Sequence, residues 1–232
     1  SARVEAAGAA NTLSFDANGW SAENTDGIGL VRDLAQRHRV ALAGKRVIIL
    51  GAGGAASGVV LPLLDAGVLE VLIVNRTAAR AVALAERLGV GARPQPAVAG
   101  AGPHPVNAGA GPHPVNAGAP PRPVIAGAGF EALDAARADG ALLINATSAG
   151  LSDARLPVPD AVFAAAAFAY DMVYGARPTA FLAQAAAMGC PRQADGLGML
   201  VEQAAESFRL WRGVAPQTEP VYRQLRDEIG GA

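Results

Sequence analysis

Lys45-Arg-Val-Ile-Ile-Leu-Gly-Ala-Gly-Gly-Ala-Ala-Ser-Gly58, answered by Val71-Leu-Ile-Val-Asn-Arg-Thr77, decides the fold of this chain. Val47–Leu50 is an unbroken apolar run of strand length, as a central parallel strand covered on both faces requires. Val59, Val60, Leu63 and Leu64 then recur at helical spacing, and Gly67 predicts the end of that helix. Between strand and helix, Gly51 permits a tight turn and Gly53 lets a pyrophosphate approach the backbone. Ala56 is small enough for close helix–strand packing. Gly51, Ala52, Gly53, Gly54 and Ala55 therefore form a candidate phosphate cradle at a helix N-terminus.

The end of the second strand bears on which dinucleotide fits. A ribose 2′-hydroxyl is usually held there by Asp or Glu, whereas this chain has Asn75, Arg76 and Thr77. A guanidinium binds a 2′-phosphate through paired, charge-assisted hydrogen bonds, so the triplet points to NADP. Thr77 either joins that pocket or caps the helix expected over 78–88.

Outward from this unit, Asn11–Phe15 and Trp20–Glu23 read as strands around the turn Asp16-Ala-Asn-Gly19. A helix is expected from Asp26 to His38, with strands at Ala141–Ile144 and Phe168–Met172. Further helices are expected at Pro178–Met188, Gly198–Trp211 and Pro216–Ile229. Alternation of strands and helices predicts an α/β, doubly wound parallel sheet.

Residues 92–127 are different: four nine-residue units share Ala-x-Pro-x-Pro-x-x-Ala-Gly, and Ala101–Gly109 is repeated identically as Ala110–Gly118. Alternate prolines favour extended, polyproline-like chain, and the units carry too few large apolar residues for a solenoid core. A tandem expansion in a surface loop is the expectation, inserted into an otherwise ordinary loop and strand, since closure entropy grows slowly with loop length. His104 and His113 have poor spacing for a metal site, and no metal is expected.

With 232 residues the chain can bury a substantial core, and its net charge of −1 gives no basic surface for nucleic acid or anionic membrane. No apolar run reaches spanning length and the start lacks a signal-peptide pattern, so a cytoplasmic protein is expected. A single cysteine, Cys190, excludes an intramolecular disulfide and reads as packing. Lys45 is the only lysine.

Asn11-Thr12, Asn24-Thr-Asp-Gly27, Gly51-Ala-Gly-Gly-Ala55, Asn75-Arg-Thr77, Asn145-Ala-Thr-Ser148, Tyr170-Asp-Met-Val-Tyr174 and Asp195-Gly-Leu-Gly-Met199 with Gln203, in this order, resemble the shikimate dehydrogenase family. The resemblance implies a Rossmann-like cofactor domain with remnants of a second, substrate-binding domain. It also implies NADP-dependent reduction of 3-dehydroshikimate to shikimate, in aromatic amino-acid synthesis. It assigns Asn11, Asp26, Tyr174 and Gln203 to the substrate, and Asp26 to catalysis beside a lysine. Gly51–Ser57 and Asn75–Thr77 would hold NADP, with Thr147 and Met199 flanking the nicotinamide. Asp26 as a helix cap and Tyr174 as packing are the alternatives.

The implied organisation is residues 1–25 as the end of the substrate domain, 26–200 as the NADP domain carrying the 92–127 insertion, and 201–232 as helices returning to the substrate domain. The family's lysine lies upstream of the segment matching Asn11. Ser1 begins close to that segment, so the lysine-bearing domain is expected to be missing and catalysis impaired. Lys45, at the start of the first parallel strand, is expected on the far side from the site. The other readings are a non-catalytic NADP-binding module and an NAD-using quinate or shikimate dehydrogenase relative. The expected partner is a small-molecule substrate, with a homodimer as a further option and apolar surface exposed where the missing domain would pack.

Overall fold

The computed structural model describes residues 1–17, 19–89, 123–148 and 155–230. Helix α1 (Ala2–Ala7) leads into an antiparallel hairpin of β1 (Thr12–Asp16) and β2 (Gly19–Glu23), with Asp16 opposite Gly19. Helix α2 (Asp26–Arg32) continues without a break as a π-helical turn, Asp33–Arg37. Strand β3 (Arg46–Leu50), α3 (Gly54–Asp65), β4 (Glu70–Val74) and α4 (Ala78–Gly89) follow. Beyond residue 122 come β5 (Val124–Ala128), a short 3-10 turn, α5 (Ala135–Ala138), β6 (Leu142–Asn145) and α6 (Asp160–Ala165). The chain then runs through β7 (Phe168–Asp171), α7 (Ala180–Ala187), β8 (Gln193–Asp195), α8 (Leu197–Arg212) and α9 (Glu219–Gly230).

Six parallel strands pair in the order β5-β4-β3-β6-β7-β8, so the chain reverses direction across the sheet between β3 and β6. This is the doubly wound order in which a dinucleotide lies across the carboxyl ends of the strands at the switch point. Alternate residues of each central strand feed opposite cores. Val47, Ile49, Val71 and Ile73 pack with α2, α3 and α4, while Ile48, Leu50, Leu72 and Val74 pack with α6 and α7. That two-sided burial explains why these strands are unbroken apolar runs.

The repeat runs into the expected strand: residues 124–127 of its last unit lie in β5 and pair with β4. Gly127 lies so close to Ala81 of α4 that a side chain there would overlap the helix backbone. The proline pairs of the first three units, His104 and His113 lie outside the described residues. Helix α1 and strand β8 were not anticipated, while α8 (Leu197–Arg212) matches the helix expected at Gly198–Trp211 within a residue at each end. Cys190 is buried, its thiol directed at the carbonyls of Ala166 and Arg192 and pushed up in pKa by burial. No described helix is long and apolar enough to cross a membrane. Among the described residues no three His, Cys, Asp or Glu side chains cluster as metal ligands.

Candidate functional site

The glycine turn sits at the switch point. Gly51 adopts φ +112°, and its amide donates to the Val74 carbonyl at 2.7 Å. A side chain on Gly51 would meet the Ala146 carbonyl oxygen at 3.0 Å and the Thr147 methyl at 3.1 Å, so the exits of β3 and β6 are in contact. Gly53, Gly54 and Ala55 are exposed, and no side chain caps the first turn of α3. Among the described residues, nothing beyond its chain neighbours lies within 4 Å of where a Gly53 side chain would begin. The leading N–H groups of α3 are thus left for an anion, as its helix dipole favours.

At the exit of β4, Asn75 donates from Nδ2 to the Thr77 carbonyl at 3.1 Å, while its own amide donates to Ala128 of β5. Arg76 and Thr77 are exposed beside this turn, and the Arg76 guanidinium makes no ion pair with any described residue. These groups fit a phosphorylated dinucleotide: an open glycine cradle, an uncapped helix start, and an uncommitted guanidinium on the adjacent strand.

A second cluster gathers where α2 meets α8. Asn11 donates from Nδ2 to Asp26 Oδ1 at 2.7 Å and to Gln203 Oε1 at 3.2 Å. Asn11 Oδ1 in turn accepts from the Thr25 amide (3.0 Å), the Thr25 hydroxyl (3.1 Å) and the Thr12 hydroxyl (3.0 Å). Thr12 and Thr25 both reach Ser207 Oγ, at 2.6 and 3.2 Å. Three donors on Oδ1 leave the Asn11 amide one orientation, with its NH2 toward Asp26 and Gln203. Burial raises the pKa of Asp26, and the Asn11 hydrogen bond only partly offsets this. Asp26 does not serve as the helix cap; Thr25 occupies that position, and the Asp26 amide is held by Asn24 Oδ1 at 3.1 Å.

This cluster adjoins the phosphate turn. A side chain on Gly58, one turn into α3, would touch Asn24 Oδ1 at 3.0 Å, and Gly27 lies against Pro62. Lys45 is elsewhere, at the amino end of β3, whereas Asp26 begins the helix that returns from the opposite edge. Eleven residues of helix separate Asp26 from Arg37, roughly 17 Å at 1.5 Å per residue.

Behind the turns stands a buried polar pair that sequence reasoning passed over. Asp171 ends β7 with no exposure and accepts from Asn145 Nδ2 (3.1 Å), the Val173 amide (3.0 Å) and the Thr179 hydroxyl (2.6 Å). Asn145 Oδ1 accepts from the amide and hydroxyl of Thr147, at 3.0 and 2.7 Å. Burial raises the Asp171 pKa, opposed by those three hydrogen bonds. The pair fixes the exits of β6 and β7 and so places Thr147 beside Gly51. Met199, mostly buried in the first turn of α8, lies beyond the exit of β8 on the same sheet edge. Tyr174 is 41% exposed beyond β7 and is not hydrogen-bonded to Asn11, Asp26 or Gln203.

The α2–α8 contact is locked by Glu206, which takes Arg32 at 2.8 Å and Arg209 at 2.6 and 3.0 Å. These guanidiniums, Arg209 first, hold its pKa down at about 2 from an ordinary 4.5. The unfolded chain binds this proton more readily, so the stabilisation is complete above the ordinary value and drains as pH falls toward about 2. Because the arginines are partly solvated, we expect roughly 2 kcal/mol from this source. Urea unfolding of Glu206→Gln against the parent from pH 7 down to pH 3 checks it: the gap should narrow as pH falls, and a constant gap would contradict the assignment.

Profile comparison matches residues 33–96 to Shikimate / quinate 5-dehydrogenase and residues 196–226 to the Shikimate 5′-dehydrogenase C-terminal domain. Over 224 residues the chain is 46% identical to the shikimate dehydrogenase (NADP(+)) of Methylobacillus flagellatus, covering 97% of this chain and 71% of that protein. The chain belongs to the shikimate dehydrogenase family. The shikimate dehydrogenase (NADP(+)) of a Janthinobacterium species is 44% identical over 229 residues, again with 71% of its length matched. Among solved structures, an Ael1 enzyme from Pseudomonas putida superposes with a TM-score of 0.75 at 40% identity, covering 97% of this chain and 70% of that one. The shikimate 5-dehydrogenase of Thermus thermophilus, solved with NADP(H) and shikimate, gives a TM-score of 0.69 at 30% identity over 97% and 70% of the two chains.

Proposed function

We propose that this chain binds NADP across the switch point and carries the cofactor half of a site for reducing 3-dehydroshikimate to shikimate. The observation that carries this reading is that the Asn11–Asp26–Gln203 cluster abuts the first turns of α3 while the glycine turn opens beside it. Gly51–Ala55 would hold the pyrophosphate, Asn75, Arg76 and Thr77 the 2′-phosphate, and Thr147 and Met199 the nicotinamide end. Bound NADPH supplies a hydride for a keto carbon.

Asn11 and Gln203 present amide groups to a polyhydroxylated ring, and Tyr174 adds a hydroxyl from the β7 exit. Such donors discriminate substrates, because an analogue lacking a hydroxyl leaves them unpaired. Asp26 orients and charges a neighbouring proton donor for the developing alkoxide. In the described residues no lysine stands beside it, and burial raises its pKa against the Asn11 hydrogen bond. We therefore assign the 232-residue polypeptide cofactor binding with little turnover of its own.

In this reading residues 26–200 are the cofactor domain, and 1–25 and 201–232 form the floor of a substrate domain. The assignment includes a cytoplasmic location and a homodimer. The exposed hairpin side chains Leu13, Phe15 and Trp20 support self-association.

Fluorescence titration with NADPH, alongside shikimate oxidation with NADP, tests the assignment. We expect saturable NADPH binding, with turnover at least about a hundredfold below that of a relative possessing the lysine. Absence of NADPH binding, or turnover equal to that relative, would refute it.

A further inference from the structure

Helix α9 buries none of its residues, yet it lies against the body of the fold. Apolar packing seats it only partly, with Tyr222, Leu225 and Ile229 half-buried. An open cleft of about 470 Å3 separates it from α7, with Tyr222 and Arg226 on one wall and Ala183 and Ala186 on the other. What else attaches α9 is charge, presented at helical spacing from one face. Glu219 meets Arg37 at 3.3 Å, and the Arg37 guanidinium stacks 3.9 Å from the centre of the Tyr222 ring. One turn on, Arg226 forks onto Asp195, with Nη1 to Oδ2 at 2.9 Å and Nη2 to Oδ1 at 2.5 Å.

Asp195 is the last residue of β8, and the same carboxylate accepts the Leu197 amide at 3.3 Å, bridging the turn that starts α8. The other side of that turn is closed: Gly196 donates to the Val173 carbonyl at 3.3 Å and lies too close to Met172 to carry a side chain. The Gly196–Met199 turn is therefore clamped between the β7 exit and α9. A bidentate guanidinium–carboxylate pair fixes direction as well as distance.

We propose that Arg226 is a positioning residue: through Asp195 it holds the Gly196–Met199 turn at the nicotinamide end of the cofactor cleft. This rests on the cofactor reading above. The Arg226 side chain itself touches neither the glycine cradle nor Arg76, so its effect is confined to one end of the dinucleotide.

The test compares two ligands on Arg226→Met: NADPH, and 2′-phospho-ADP-ribose, which has the same phosphates but no nicotinamide. NADPH affinity should fall about tenfold while the analogue stays within about twofold, with Arg226→Lys intermediate because it keeps charge but loses the fork. Equal loss for both ligands, or no loss for either, would overturn the proposal. Hydrogen exchange on the ligand-free protein provides a readout independent of the cofactor reading. Amides of Leu197 to Leu200 should exchange about tenfold faster in Arg226→Met, and unchanged exchange there would overturn the clamp even if NADPH binds. Failure of the parent chain to bind NADPH would instead refute the cofactor reading and leave the exchange result to decide the clamp.

Discussion

Replacing Arg76 with aspartate is expected to weaken NADPH binding by about two orders of magnitude while leaving NADH binding nearly unchanged. The guanidinium is exposed and pairs with no described carboxylate, so little is lost from the protein itself. Two charge-assisted hydrogen bonds to a phosphate, at about 1.5 kcal/mol each, give about 3 kcal/mol, or roughly 150-fold. The introduced carboxylate also repels the phosphate. Parallel fluorescence titrations with the two reduced cofactors measure the effect. Equal loss for NADH would mean that Arg76 supports the strand exit rather than reading the 2′-phosphate. An NAD-preferring parent chain would favour the quinate or shikimate relative instead.

Asp171→Ala should be the most destabilising single change among the site's supports. It strands the buried Asn145 side-chain NH2 and Thr179 hydroxyl and the half-buried Val173 amide. Each unsatisfied buried donor costs about 1–3 kcal/mol, so a loss of about 4 kcal/mol is expected after local relaxation. That is a large share of the roughly 5–15 kcal/mol that holds a domain together. Urea denaturation gives the value directly; a loss under about 1 kcal/mol would show that water replaces the carboxylate. Asp171→Asn keeps the volume and one acceptor and should lose less.

The sheet was legible because burial on both faces leaves its strands as plain apolar runs. Val47–Leu50 and Val71–Val74 announce themselves, and a glycine between strand and helix marks the switch point. Strand β8 was invisible for the opposite reason: Gln193-Ala-Asp195 is three residues long, lies at the sheet edge and has no large apolar side chain. Helix α1 is short, and its anchorage comes from distant groups, Ser57 Oγ donating to the Ala7 carbonyl and Arg87 to the Ala6 carbonyl.

At the site, Asp26 and Gln203 are 177 positions apart, and no local pattern could join them; only the ordered set of motifs did. Of their buried supports, Thr12 and Thr25 lie within those motifs without a role of their own, and Ser207 left no signal, since an isolated hydroxyl in a sequence looks like any surface residue. Asp171 was hidden in the run Phe168-Ala-Tyr-Asp171, where it reads as a strand end rather than as the acceptor for two loops. Asp195 belongs to one of those motifs, but its pairing with Arg226 carries no signal until α9 is seen against β8.

Helix α8 is a single uninterrupted rod of 16 residues, about 24 Å long. Its first turn stands at the sheet edge. Ser207 engages Thr12 and Thr25, and the Trp211 indole donates to the Leu13 carbonyl of the hairpin at 2.8 Å. A lever of this kind has no place to bend within its length. A tilt of the hairpin is therefore passed along the rod to its first turn, where the Asp195–Arg226 pair and the Gly196–Met172 contact resist it. Met199 and Gln203, one turn apart on the same rod, thus keep a fixed separation, so a displacement of either is a displacement of both.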